Sequence, residues 1–360
     1  MIPSKIHVIA EAGTNHNGSV ETGKRLIDVA INAKADSVKF QMIFPEGLYL
    51  PRFYREGRYE DSQVFAQRVR TALTPDGYRA LAAHAAERGI RFSASAFDRQ
   101  GIALLDELDV DFIKIASCDL NNTPLLRAAA ETGRKLIIST GMATLGEIEH
   151  AVSGIYAGGN RDILLMHCVS VYPCPLEQMN LSFIDVLKRE FAAPVGLSDH
   201  TESSLAAAIA VAKGVACIEK HFTLDRSAVG FDHAYAMEPA ALADYVRDVA
   251  AAAAACELRE RKVSDEETEV RCRARRGLYV ARALAAGDTI TEADVLIVRP
   301  EGPLPPTALP RVLGRTVRRP VHKYEPLTWE MFTEPAVCAP AVGPLTDLRP
   351  VKGGPAEVAP

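Results

Sequence analysis

Residues 194–223 read PVGLSDHTESSLAAAIAVAKGVACIEKHFT, and the order of elements in this stretch decides the fold. Two short β-rich runs, 194–199 and 217–222, flank a segment at 205–213 whose apolar residues recur at helical spacing. A strand, a helix and a second strand in immediate succession make a βαβ unit, which demands a parallel sheet. Working outward, strands are expected at 6–12, 37–42, 91–97, 112–117, 135–141 and 163–168. Helical patterns stand between them, as at 23–33, 76–88 and 145–156. Thr74-Pro75-Asp76 and Asn122-Thr123-Pro124 read as helix starts with proline in the first turn. Eight such units over about 250 residues fit a closed (β/α)₈ barrel of the α/β class. An open doubly wound sheet is the runner-up. It normally carries a Gly-rich phosphate loop after the first strand, and EAGTNHNG at 11–18 does not fit that pattern.

The rest of the 360-residue chain divides by composition. Residues 1–258 are read as the barrel domain, 259–276 as an exposed charged linker, and 277–332 as a small, mostly β module. The Pro-, Gly- and Ala-rich segment 333–360 is expected to be disordered. The connection at 43–74 is long and carries Arg52, Tyr54, Arg55, Arg58 and Tyr59, which suggests a substrate lid.

A net charge of −5 tells against generic nucleic-acid binding, so an anionic ligand must be held by a few local cations. No uninterrupted apolar run approaches the roughly 18 residues of a membrane span. Seven cysteines without paired spacing argue against a disulfide framework, and the first residues lack a secretory pattern. A reducing cytoplasm is the expected compartment.

The strands carry polar side chains where a barrel core should be apolar. Residues two apart share a face, so Lys39 with Gln41, Ser93 with Ser95, Ser198 with His200 and Glu219 with His221 form same-face pairs. Glu11 closes the first strand, and Lys114 sits inside the fourth. Any one of these has an ordinary explanation as half of a buried ion pair or a satisfied core histidine. So many together would be costly to bury without use, and barrel active sites are built at the C-terminal ends of the strands. His200 and His221, on neighbouring strands, suit a divalent transition ion, with Asp199, Glu219 and Asp232 as nearby carboxylates. Lys39 and Lys114 suit phosphate or carboxylate. Ser95, Ser117, Ser139 and Ser198 are short donors for phosphate oxygens, or else helix caps.

The runs IAEAGTNHNG (9–18), VKFQ (38–41), KIAS (114–117), STGM (139–142), GLSDHT (196–201) and IEKHFT (218–223) resemble those of the sialic acid (N-acetylneuraminate) synthases. That group includes the legionaminate and pseudaminate synthases. Residues 276–332 are similar to the group's C-terminal antifreeze-like (SAF) domain, so the resemblance covers about residues 5–332. It implies a carbon–carbon bond-forming transferase in which phosphoenolpyruvate condenses with an aldose, usually N-acylated, to give a 3-deoxy-2-keto sugar acid and phosphate.

By the same resemblance Lys39, Ser95, Lys114, Ser117, Ser139, Ser170 and Ser198 surround phosphoenolpyruvate. His200 and His221 hold a divalent metal, Mn²⁺ before Mg²⁺ or Co²⁺. Glu11, Gln41, Asp119, Tyr172, Glu219 and Asp232 face the sugar or the reacting atoms. Arg299 matches an arginine that reaches the sugar in a partner subunit's barrel, which implies a domain-swapped homodimer. Glu11, Asp119 and Glu219 all remain candidates for the proton relay.

The chain departs from the family at Cys118, Ser170, Cys174, Phe231 and Glu301, near the expected sugar pocket, which points to an unusual acceptor or to neutral drift. Two other functions stay open. One is condensation with a phosphorylated aldose, using Arg52, Arg55 and Arg58 as a second phosphate site. The other is a non-catalytic sugar-binding protein.

Overall fold

The structure, a computed structural model, describes residues 5–258 and 262–333. The chain divides into two compact units, with the boundary between Arg259 and Glu260. The tail expected to be disordered falls, from residue 334 on, outside the described residues.

In the first unit the barrel strands are β1 (His7–Gly13), β2 (Ser37–Met42), β5 (Arg91–Ala96), β6 (Phe112–Ile115), β7 (Lys135–Ser139), β8 (Ile163–Cys168), β9 (Val195–Asp199) and β10 (Cys217–His221). They close in the order β1-β10-β9-β8-β7-β6-β5-β2, parallel at every seam. The alternation in the sequence therefore reports a (β/α)₈ barrel and not an open sheet. Thr74 and Asn122 cap the helices that follow them, accepting hydrogen bonds from the Gly77 and Leu125 N–H groups. The helix over Leu145–Ala157 starts with a full capping box between Thr144 and Glu147.

Apolar packing fixes where the site can lie. Most of the core lies between the strands and the surrounding helices, with Leu26, Phe40, Leu81, Ile113, Leu165 and Leu242 among its buried members. A separate cluster of Ile9, Phe112, Ile137, Leu164, Met166 and Cys217 plugs the barrel interior. Gly196 makes that plug possible: a Cβ there would lie 2.8 Å from the Cys217 carbonyl oxygen and 3.2 Å from a Leu164 methyl. Beyond the plug, the positions two residues after Ile9, Phe112, Ile137 and Cys217 are polar: Glu11, Lys114, Ser139 and Glu219.

The long connection after β2, expected as a substrate lid, has secondary structure of its own. It folds as a two-stranded hairpin, β3 (Arg52–Arg55) with β4 (Arg58–Asp61), followed by a helix over Gln63–Thr71.

The second unit has its own core of Leu278, Val280, Ile290, Val312, Val317, Leu327 and Phe332, among others. Its antiparallel pair is β11 (Gly277–Val280) with β12 (Val295–Val298). The stretch expected as linker contains a helix, Asp265–Ala274, none of whose residues is buried. A Ser264–Glu267 capping box starts it, and the Glu301 N–H donates to the Cys272 carbonyl at its end.

Candidate active site

Strand register brings the polar positions level with one another. Glu11 is the β-partner of Lys39 and of His221, Gln41 of Ser95, Ser95 of Lys114, and Ser198 of Glu219. The result is a belt of charge above the apolar plug. Lys39 Nζ lies 2.6 Å from Glu11 Oε2 and 3.6 Å from Glu219 Oε2. Lys114 Nζ donates to both Glu219 oxygens, at 2.9 and 3.0 Å. Lys39 also donates to Ser95 Oγ at 2.9 Å, and Ser198 Oγ donates to Glu219 Oε1 at 3.0 Å.

All four charges are nearly sealed from solvent, where an unpaired ion would cost several kcal/mol. Burial alone would neutralise Glu219, but Lys114 and Lys39 outweigh it and hold this carboxylate well below its usual range. Burial raises the Glu11 pKa, Glu219 adds to that, and Lys39 opposes it without winning. For Lys39, burial is outweighed by Glu11 and Glu219, so the ammonium is held protonated. Thus two carboxylates in one belt are driven apart: Glu219 a fixed anion, Glu11 a group able to take a proton.

Lys39, Lys114, His200 and His221 all line one cavity of about 470 Å³. Glu11, Gln41, Ser95, Ser117, Ser139, Ser170, Tyr172, Ser198 and Glu219 line it too. His200 Nδ1 donates to the Val169 carbonyl at 2.7 Å, which fixes the ring, and Nε2 lies 3.4 Å from Ser198 Oγ. Burial holds His221 neutral, its pKa down to about 4, and its buried Nδ1 has no partner. The two rings are 5.7 Å apart between centroids, with Tyr172 4.0 Å from His200 and Tyr235 5.3 Å from His221. Two imidazoles, one oriented by a carbonyl and one with an orphaned nitrogen, fit a divalent ion as two of its ligands. Among the described residues there is no cluster of three or more His, Cys, Asp or Glu side chains suited to a metal, so waters or substrate would supply the rest.

Next along the barrel from His200, β8, β7 and β6 lead into a small polar recess. The Gly141 N–H donates to Ser117 Oγ at 3.1 Å, and the buried Ser139 Oγ has no partner. A Cβ on Gly141 would lie 2.4 Å from Ser170 Oγ and 2.8 Å from Ser117 Oγ, so glycine keeps the recess open.

Several expected residues stand elsewhere. Asp199, considered as a carboxylate near the metal, faces the helices. It accepts from Tyr245 OH at 2.7 Å, pairs with Lys220 at 3.2 Å and holds the turn at Thr201. Strand alternation sends it away from Ser198 and His200. Asp119 is buried beside the cavity without lining it, and accepts from Asn122 Nδ2 at 3.1 Å. Asp232 stands behind Gly13, bonded by Tyr235 OH at 2.6 Å and approached by the Thr14 N–H at 3.4 Å. Arg299 lies exposed in the second unit, just after β12. Arg52, Arg55 and Arg58 are exposed on the hairpin and do not line the cavity. Arg68, which no motif singles out, does.

A sequence model of the NeuB family matches residues 26–260, and one of the SAF domain matches residues 275–333. The N,N'-diacetyllegionaminic acid synthase of Legionella pneumophila is 33% identical, over 90% of this chain and 93% of that protein. The N-acetylneuraminate-9-phosphate synthase of Homo sapiens is 32% identical, over 90% and 92%. The crystal structure of an N-acetylneuraminic acid (sialic acid) synthetase from Leptospira borgpetersenii superposes with a TM-score of 0.64 at 34% identity. It covers 74% of this chain and 90% of that one.

Proposed function

Because the chain belongs to the NeuB family, we propose that it condenses phosphoenolpyruvate with an N-acylated amino aldose. The products are a 3-deoxy-2-keto sugar acid and inorganic phosphate. One observation carries the reading: two ammonium groups and two imidazoles, from β2, β6, β10 and the residue after β9, line a single cavity. Such a set suits a substrate with two anionic groups beside one that needs polarising.

In this reading Lys39 and Lys114 hold the phosphate and carboxylate, and the hydroxyls of Ser95, Ser117, Ser139, Ser170 and Ser198 donate to their oxygens. His200 and His221 would hold the divalent ion, Mn²⁺ by expectation, which when bound supplies Lewis-acid polarisation of the aldehyde. The enol carbon C3 attacks the aldehyde carbon, whose C=O pair moves to oxygen and takes up a proton. Water adds at C2, losing a proton, and the C2–O bond breaks so that phosphate leaves with the bridging oxygen. Collapse of C2 to the ketone releases a second proton. Glu11, whose pKa burial raises, is the group suited to receive the proton from water; Glu219, held ionised by both lysines, instead steadies their charge. Gln41, Tyr172 and Asp232 are proposed to face the sugar. Arg299 is proposed to complete the site in a partner subunit's barrel, which makes the active form a homodimer.

Phosphoenolpyruvate labelled with ¹⁸O at the bridging position tests the bond that breaks. Label recovered in phosphate supports the proposal, and label retained in an organic product refutes it.

A further inference from the structure

Lys220 and Asp199 form a buried ion pair on the side of the barrel wall that faces the helices, away from the cavity. Lys220 Nζ lies 3.2 Å from Asp199 Oδ2, and neither side chain has more than 2% of its surface exposed. The layer they interrupt is apolar. Leu197 and Ile218, two residues earlier on the same faces of their strands, belong to the main core, as do Leu242 and Val249 of the helix over Pro239–Cys256. The chemistry proposed for the cavity uses neither charge. An ion pair buried among apolar side chains adds little net stability over an apolar pair of similar size, because desolvation offsets the attraction. What the pair does is shown by where its bonds go.

The ladder between β9 and β10 ends at Asp199 and Lys220, one residue short of both histidines. Backbone pairing between these strands therefore stops before His200 and His221, and other bonds must keep the two strand ends at a fixed spacing. Lys220, which precedes His221, supplies them. Its ammonium pairs with Asp199, which precedes His200, and donates to the carbonyl of Thr201, which follows it. The Asp199 carboxylate closes the same turn from within, accepting from the Thr201 N–H at 2.9 Å and from its hydroxyl at 2.8 Å. Tyr245 anchors the pair to the helix behind it. The phenol donates to Asp199 Oδ2 at 2.7 Å, and the Lys220 ammonium stands 5.1 Å from the ring centroid.

We propose that Lys220 and Asp199 are positioning residues for the divalent ion, and that the bridge between them sets the spacing of the His200 and His221 imidazoles. This rests on the reading of those histidines as metal ligands and extends it to residues that never touch the ion. Two ligands already in place lose little freedom when an ion binds. Two ligands on loosened strand ends must be ordered by the ion itself, which lowers its affinity.

The test compares full-length wild type with Lys220→Met, the double variant Asp199→Asn/Lys220→Met, and Tyr245→Phe. Mn²⁺ affinity is read from the electron paramagnetic resonance of the free ion, phosphoenolpyruvate affinity from calorimetry without metal, and stability from urea unfolding. Lys220→Met leaves the Asp199 carboxylate buried without a counter-ion, so it should lower the urea midpoint and weaken Mn²⁺ binding on the order of 30-fold. Adding Asp199→Asn removes that charge and keeps an oxygen for Thr201. The double variant should therefore regain most of the urea midpoint yet bind Mn²⁺ as weakly as the single one. Phosphoenolpyruvate affinity should not change, since Lys39 and Lys114 stand on β2 and β6. A role in stability alone predicts that metal affinity returns with the urea midpoint. That result overturns the proposal, as does wild-type Mn²⁺ affinity in Lys220→Met or a parallel loss of phosphoenolpyruvate affinity. If neither lysine variant folds, Tyr245→Phe decides: loss of one hydrogen bond to Asp199 should weaken Mn²⁺ binding about threefold, and unchanged binding sinks the idea. His221→Ala controls for the reading beneath. Undiminished Mn²⁺ binding there removes the histidines as ligands, and this inference with them, whereas loss in His221→Ala beside full affinity in Lys220→Met defeats this inference alone.

Discussion

The Lys39 ammonium lies 2.6 Å from the Glu11 carboxylate in the middle of the barrel, and neither side chain has more than 2% of its surface exposed. The pair is more than a structural salt bridge, because Lys39 is also shared with Glu219, and burial, with the Glu219 charge adding to it, leaves Glu11 the weaker acid of the two carboxylates.

Glu11→Gln keeps the shape and removes the proton acceptor. Turnover should fall on the order of 100-fold, with the KM for phosphoenolpyruvate unchanged or lower, since Lys39 loses a competing anion. Steady-state kinetics check this, and a kcat within about threefold of wild type would reassign the proton relay.

His221→Ala removes one of the two imidazoles proposed to hold the ion. Binding of Mn²⁺, followed by the electron paramagnetic resonance signal of the free ion, should weaken on the order of 100-fold. Unchanged Mn²⁺ affinity would take His221 out of the metal site, whatever the effect on turnover.

Gly141→Ala places a methyl carbon 2.4 Å from Ser170 Oγ and 2.8 Å from Ser117 Oγ. The fold should survive, because both contacts are with side-chain hydroxyls at the rim. The KM for phosphoenolpyruvate should rise on the order of 10-fold while that for the sugar stays put. An effect confined to the sugar KM would place the phosphate elsewhere.

Arg299→Ala examines the proposed contribution from a partner subunit. The sugar KM should rise more than the phosphoenolpyruvate KM, by about tenfold against less than twofold. An unchanged sugar KM rejects the exchange of this arginine between subunits.

His16 sets a pH dependence of stability. Burial, with the Arg68 charge adding to it, lowers its pKa from 6.5 to about 4, and its Nδ1 already accepts from the Gly18 N–H at 3.0 Å. The unfolded chain therefore binds a proton that the folded protein refuses. Stability from this residue is complete above the unfolded pKa of 6.5 and drains away as pH falls towards 4. From about pH 7 to pH 5 the loss should be ~2 kcal/mol. Urea unfolding of wild type and His16→Gln measures it as the difference in slope, and parallel pH profiles would contradict it.

The barrel was legible because alternation is a local property. Short apolar runs between helical patterns specify βαβ units, and period two in the strands places Lys39, Ser95, Ser198, Glu219 and His221 on one face. The same rule, applied strictly, sends Asp199 outward to Tyr245; grouping it with its polar neighbours Ser198 and His200 overrode the period. Arg68 was invisible for the opposite reason. Its place in the cavity depends on how a hairpin and a short helix dock on the rim, and no local pattern encodes that. The Asp265–Ala274 helix lacks an apolar face, so its charge reads as linker, although Ser264 and Glu267 stand at capping-box spacing.

The central claim is that this one cavity joins phosphoenolpyruvate to an aldose. The most direct measurement counts phosphate and 3-deoxy-2-keto acid formed with Mn²⁺, phosphoenolpyruvate and a panel of neutral, N-acylated and anionic aldoses. The account predicts equal amounts of both products with a true acceptor and neither product without one. Phosphate released at the same rate in the absence of any aldose, or none released across the whole panel, would contradict it.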